Sequence, residues 1–112
     1  MSEFGKMLKA FRNEKKISQR KLAETVRIDF TYVSKIESGT MDPPSEDTIV
    51  RIAEALGEDP DKMLLAAKKV PSDFKKVITE NKDVPAFLRK ANTITPEQWK
   101  RIHSIINLKE ED

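Results

Sequence analysis

Two short polar runs hold most of the side chains able to do chemistry. Gln19, Arg20 and Lys21 follow Ser18, and Asp29, Phe30, Thr31, Ser34 and Lys35 follow a two-residue break. Amide, guanidinium, ammonium and hydroxyl groups hydrogen-bond flat polar edges and hold phosphates. They are not arranged here to break bonds. No glycine-rich phosphate loop and no nucleophile elbow is present. His103 is the only histidine and cysteine is absent, so a metal site has no ligand set. Asp42, Glu46 and Asp47 lack the ligand order of a calcium loop and read as capping residues. Glu110 and Glu111 fall in a terminal stretch expected to fray. The expectation is a non-enzyme without cofactors.

The elements that must position these residues are helices. Alternating strand patterns are missing, only three glycines occur, and 36% of the chain is charged between periodic apolar residues. An all-α chain follows. Phe4, Met7, Leu8 and Phe11 form the stripe of a first helix over residues 2–15. Ser18 opens a second, with Leu22, Ala23 and Val26 inward. After Arg27 and Ile28, Asp29 caps a third that ends at Gly39, with Val33 and Ile36 inward. Ser45 is expected to cap a fourth, ending at Gly57, and Asp59-Pro60 opens a fifth. Three further helices are expected over residues 72–81, 85–91 and 95–108.

The predicted division is residues 1–70, a five-helix unit, and residues 71–112, a short helical extension. Residues 1–40 contain nine basic and five acidic side chains, whereas residues 41–70 contain four and seven. The positive excess therefore lies with the two polar runs. No apolar run reaches the roughly 18 residues of a membrane span, and nothing at the start reads as a signal peptide. The expected location is cytoplasmic, without membrane contact.

From Ile17 the chain reads IxxxxLAxxVxIxxxYVSKIExG, followed by Pro44-Ser45, by Ile52-Ala53-Glu54-Ala55-Leu56-Gly57, and by Pro60 and Met63-Leu64. These residues resemble the phage-repressor and Cro-like family, the XRE-type helix-turn-helix regulators, over roughly residues 4–68. The resemblance implies a five-helix domain with its third helix in the major groove of an operator, acting as a dimeric repressor on a palindrome. Carried over, the base-contacting positions are Asp29, Phe30, Thr31, Ser34 and Lys35. The backbone-contacting positions are Gln19, Tyr32 and Thr40, with Arg20 and Lys21 beside Gln19. The resemblance also implies a structural ion pair between Arg12 and Glu37. Arg27 stands where family members commonly have glycine.

Several outward residues keep two readings. Lys35 reaches a guanine edge or a phosphate. Phe30 packs on a thymine methyl or on the second helix. Asp29 is a helix cap before it is an acceptor for a cytosine amine. In the C-terminal segment Trp99, Ile102 and Ile106 share a stripe with Ile105 beside it. With Phe87 and Leu88 they form a docking or dimer face, for a second copy or for a protein partner. The rival function is a protein-interaction module that does not use DNA.

Overall fold

Helix ends fall where short polar side chains take up amides that have no partner one turn back. In the computed structural model, which describes residues 2–108, Ser2 Oγ accepts from the Gly5 amide at 2.9 Å. Ser18 Oγ accepts from Lys21 at 3.0 Å, and Asp29 Oδ1 from Thr31 at 2.7 Å. The helices so begun are α1 (Glu3–Glu14), α2 (Gln19–Val26) and α3 (Phe30–Ser38). Two more follow, α4 (Glu46–Leu56) and α5 (Pro60–Ala66). Asp59 Oδ1 caps α5 through Asp61 at 2.9 Å. Ser45 departs from expectation: it stands at the N-cap of α4 but makes no side-chain capping bond. Its hydroxyl pairs instead with the Thr48 hydroxyl at 3.2 Å. Gly39 and Gly57 close α3 and α4 in the left-handed region, at φ 84° and 67°, where a side chain would be strained.

Every regular element among the described residues is helical, and none is long and apolar enough to cross a membrane. The chain divides into two units, Met1–Ser72 and Asp73–Asp112. The first has a single core. Phe4 and Leu8 meet Leu22, Ala23 and Val26 from α2 and Val33 and Ile36 from α3. Ile49, Ile52, Ala53 and Leu56 from α4 and Met63 and Leu64 from α5 complete it. The inward stripes predicted for the first three helices supply the α1–α3 part of this list, with Met7 and Phe11 partly buried against it. Gly5 was not singled out by pattern. A Cβ there would stand 2.5 Å from the Ile36 carbonyl oxygen and 3.0 Å from that of Glu37. The close approach of α1 to the end of α3 therefore needs glycine.

A buried polar cluster joins the first three helices. Arg12 donates from Nε to Glu37 Oε2 at 2.7 Å and from Nη2 to Oε1 at 2.9 Å. Its Nη1 donates to the Ile17 carbonyl at 2.9 Å. Gln19 Nε2 donates to the same Glu37 Oε1 at 3.0 Å. Arg12 and Glu37 are 8% and 3% exposed, so water cannot replace these bonds. Hydrogen bonding to Glu37 holds the Arg12 guanidinium above its ordinary pKa, against the opposing effect of burial.

The second unit contains α6 (Asp73–Glu80), α7 (Asp83–Lys90), a 3₁₀ turn (Ala91–Thr93) and α8 (Pro96–Asn107). The expected start of α7 at Pro85 is corrected to Asp83. Pro85 occupies the first helical turn, where its missing N–H breaks no bond. Thr95 and Gln98 form a reciprocal capping box at the start of α8, at 3.1 and 3.0 Å. No residue of these helices is buried. Phe87 meets Trp99 edge to face at 6.0 Å, and His103 stacks on Trp99 at 5.9 Å. Glu110 and Glu111 lie outside the described residues.

Replacing Arg12 with Met leaves the Glu37 carboxylate buried without its charge partner. Urea unfolding is expected to report a loss of about 3 kcal/mol. Arg12→Met/Glu37→Leu should recover part of that loss, the remainder reflecting the unpartnered Ile17 carbonyl and Gln19 amide. A double variant as unstable as the sum of its singles would show that the pair does not act as a unit.

Candidate nucleic-acid interface

The α2–α3 turn sets the angle at which the two polar runs are presented. Arg27 occupies the left-handed region at φ 60° and ψ 49°, a conformation costing a non-glycine residue about 1–2 kcal/mol. Its surroundings hold it there. The Arg27 and Ile28 amides both donate to the Ala23 carbonyl. Arg51, reaching from α4, donates from Nη1 to the Val26 carbonyl at 2.8 Å. A guanidinium thus caps the end of α2, satisfying a carbonyl and opposing the negative end of the helix dipole. Nothing local in the sequence marks Arg51 for this task, because its partner is 25 residues away.

The structure sorts the outward residues into engaged and free groups. Asp29, Phe30, Thr31 and Lys35 are exposed along α3 and its cap, whereas Tyr32 and Ser34 are half-buried. Tyr32 packs on the edge of the core. Thr31 and Asp29 are joined twice: the Thr31 amide and its hydroxyl each donate to Asp29 Oδ1 at 2.7 Å. The hydroxyl proton of Thr31 is therefore used internally, leaving its methyl and its lone pairs outward. The Thr40 amide donates to the Lys35 carbonyl at 2.9 Å, and its hydroxyl pairs with that of Ser38 at 2.8 Å.

At the start of α2, Arg20 and Lys21 are exposed and Gln19 is half-buried against Glu37. Phe30 meets α2 through Arg20 in the free protein. The Arg20 guanidinium carbon lies 4.3 Å above the centroid of the Phe30 ring, within cation–π range. The contact joins two helix N-terminal turns that carry exposed cations and hydrogen-bonding groups, where helix dipoles also favour an anion.

Asp29 is the negative group in this set. Donation by the Thr31 hydroxyl, then by the Thr31 amide, holds its carboxyl below the usual carboxylate range, with Lys35 adding a smaller favourable field. It stays ionised and internally partnered at neutral pH.

In the second unit, Phe87, Leu88, Ile105 and Ile106 are exposed, at 41%, 48%, 67% and 60%. Trp99 and Ile102 are half-buried. Phe87, Ile94, Ile102 and Ile105, together with Lys90 and Arg101, line a groove of about 440 Å³.

A sequence profile described as helix-turn-helix matches residues 8–63, half of the chain. The HTH-type transcriptional repressor RghR of Bacillus subtilis (strain 168) is 38% identical over 56 residues. That match spans 50% of this chain and 42% of the relative, so the chain spans less than half the length of that protein. A crystal structure of the clp gene regulator ClgR from C. glutamicum superposes with a TM-score of 0.52 at 30% identity, over 60% of this chain and 86% of that one. A complex of the SinR and SinI proteins gives 0.54 at 19% identity, over 97% and 99%, a likeness in fold.

The Asp29 cap carries a pH dependence of defined sign. A depressed carboxylate stabilises the fold fully above its unfolded pKa, about 3.9, and ceases to do so as pH falls through its folded value. Asp29→Ala is therefore expected to melt below the parent at pH 6, with the gap closing as pH falls below about 4. A gap that stays constant through that range would mean that the carboxylate charge plays no part in the cap.

Proposed function

Because this chain belongs to the helix-turn-helix family, we propose that it is a DNA-binding transcriptional regulator, acting as a repressor. In this reading α3 enters the major groove of a palindromic operator and α2 lies across the phosphate backbone. The observation that carries it is the Arg20–Phe30 contact, which joins the N-terminal turns of α2 and α3, with Arg20, Lys21, Thr31 and Lys35 all exposed. Base contacts are assigned to Asp29, Phe30, Thr31, Ser34 and Lys35. Backbone contacts are assigned to Gln19, Arg20, Lys21, Tyr32 and Thr40. Gln19 serves through the same rotamer that its bond to Glu37 selects. Lys35 follows the groove as the cation nearest the middle of α3, with a guanine edge as its partner.

Residues 71–112 are assigned to pairing. A single helix-turn-helix reads few base pairs, and two copies roughly 34–36 Å apart read two half-sites. The second unit buries none of its large apolar residues, and α8 presents Ile105 and Ile106 to solvent. A second copy of the chain would cover that face, symmetric pairing being the commonest oligomer.

Two measurements test the reading. Selection from a random duplex pool should return a symmetric sequence, and its affinity should fall roughly a thousandfold between 50 and 200 mM salt if about six phosphates are contacted. A chain that retains no duplex at low salt would instead be a protein-interaction module. For the pairing face, Ile105→Asp/Ile106→Asp leaves the first unit's core untouched. Sedimentation is expected to convert a dimer to a monomer, with operator affinity falling while non-specific binding persists. A parent chain that sediments as a monomer would give the face to a different protein partner.

A further inference from the structure

Phe30 sits at the first position of α3, the end of that helix placed deepest in the groove by the DNA-binding reading on which this inference rests. A phenylalanine there has no polar group with which to read a base. One face of its ring is also already covered, by the Arg20 guanidinium at 4.3 Å. Arg20 stands in the first turn of α2, so the contact bridges the two helices of the motif. An arginine stacked on an aromatic face uses its planar surface for that contact. Its N–H donors lie in the plane and stay directed outward.

Neighbouring charges leave these donors free. The ion pair found among the described residues joins Arg12 to Glu37, away from Arg20. Asp29, the acid closest in sequence to Phe30, spends Oδ1 on two bonds from Thr31. The contact with the Phe30 ring thus places the Arg20 guanidinium beside the first residue of the reading helix, with its donors unused by any other group of the described chain. Its fork of donors matches the paired O6 and N7 acceptors of guanine, which a guanidinium contacts with two bonds.

We propose that Arg20 reads a guanine in each half-site and that Phe30 is the positioning residue that holds it, not a contact to a thymine methyl. Arg20 thereby moves from the backbone-contacting set to the specificity-determining set, and Phe30 leaves the base-contacting set for a supporting role. Aromaticity at position 30 matters more than hydrophobicity, since a leucine of similar bulk has no face to offer a cation. A lysine at position 20 keeps the charge but loses the fork.

The test uses the full chain and duplexes selected from a random pool, each base pair of the selected operator then being varied in turn. Arg20→Lys is expected to lose about tenfold or more in discrimination at one guanine per half-site, with the preferences at the other operator positions retained. Phe30→Leu should lose discrimination at the same guanine, Phe30→Tyr should retain it, and Arg20→Lys/Phe30→Leu should be no worse than Arg20→Lys. Position 30 is 36% exposed, and the tyrosine variant reports on the contact should leucine perturb α3. An Arg20→Lys chain with an unchanged preference profile, or one weakened equally on all sequences, overturns the assignment. So does a Phe30→Leu chain that relaxes preference at an A·T pair and keeps the guanine. A parent chain that selects no duplex overturns the DNA reading as well, which separates the two failures.

Discussion

The Arg12–Glu37 pair is the constraint on which the first unit depends. Glu37 lies near the end of α3 and is 3% exposed, so its charge must be met from within. Arg12 meets it from α1 with two bonds, and Gln19 meets it from α2 with a third. Arg12 also holds the Ile17 carbonyl, in the segment between α1 and α2. Apolar packing would tolerate a small slide of α3 across α1. The bidentate geometry does not, because losing it strands a buried charge. Gly5 reinforces the same register, since the α3 carbonyls approach where a side chain would otherwise stand. The orientation of α3, and hence everything it presents outward, is set by this cluster together with Gly5.

The outward face built on that frame is preorganised by internal contacts. Asp29 caps α3 and orders Thr31. Phe30 is matched by Arg20. Arg51 secures the end of α2 beside a left-handed Arg27. These contacts reduce the side-chain freedom that a ligand would otherwise have to remove on binding. In a chain with a net charge of only +2, two of the three acidic groups of the motif, Asp29 and Glu37, are engaged by partners from the same unit, and Glu24 stands exposed on α2.

The second unit is organised on a different balance. Its helices are well capped, with a reciprocal box at Thr95 and Gln98, but caps end helices and do not bury apolar surface. Trp99 is flanked by Phe87 and His103, a small aromatic cluster in place of a core. Below a certain size a chain segment cannot remove enough apolar area from water to offset the entropy of ordering it. The exposed isoleucines of α8 are the visible consequence.

Helix limits and inward residues were legible in the linear chain because both depend on local rules. Ser2, Ser18, Asp29, Asp59 and Thr95 announce helix starts through their own side chains, and apolar residues three and four apart define one face. Proline in a first turn blurred one boundary, at Pro85, because local rules treat it as a start when it can also follow one. Ser45 shows a second limit, since its hydroxyl had an equally near partner in Thr48. The tertiary structure alone decided which outward residues are free. Arg20 and Phe30, Gln19 and Glu37, and Arg51 and the Val26 carbonyl are pairs joined across helices. Periodicity can say that such a side chain faces away from the core. It cannot say what another helix places above it, because that depends on the angle between helices, and here a buried ion pair and one glycine set the position of α3 against α1.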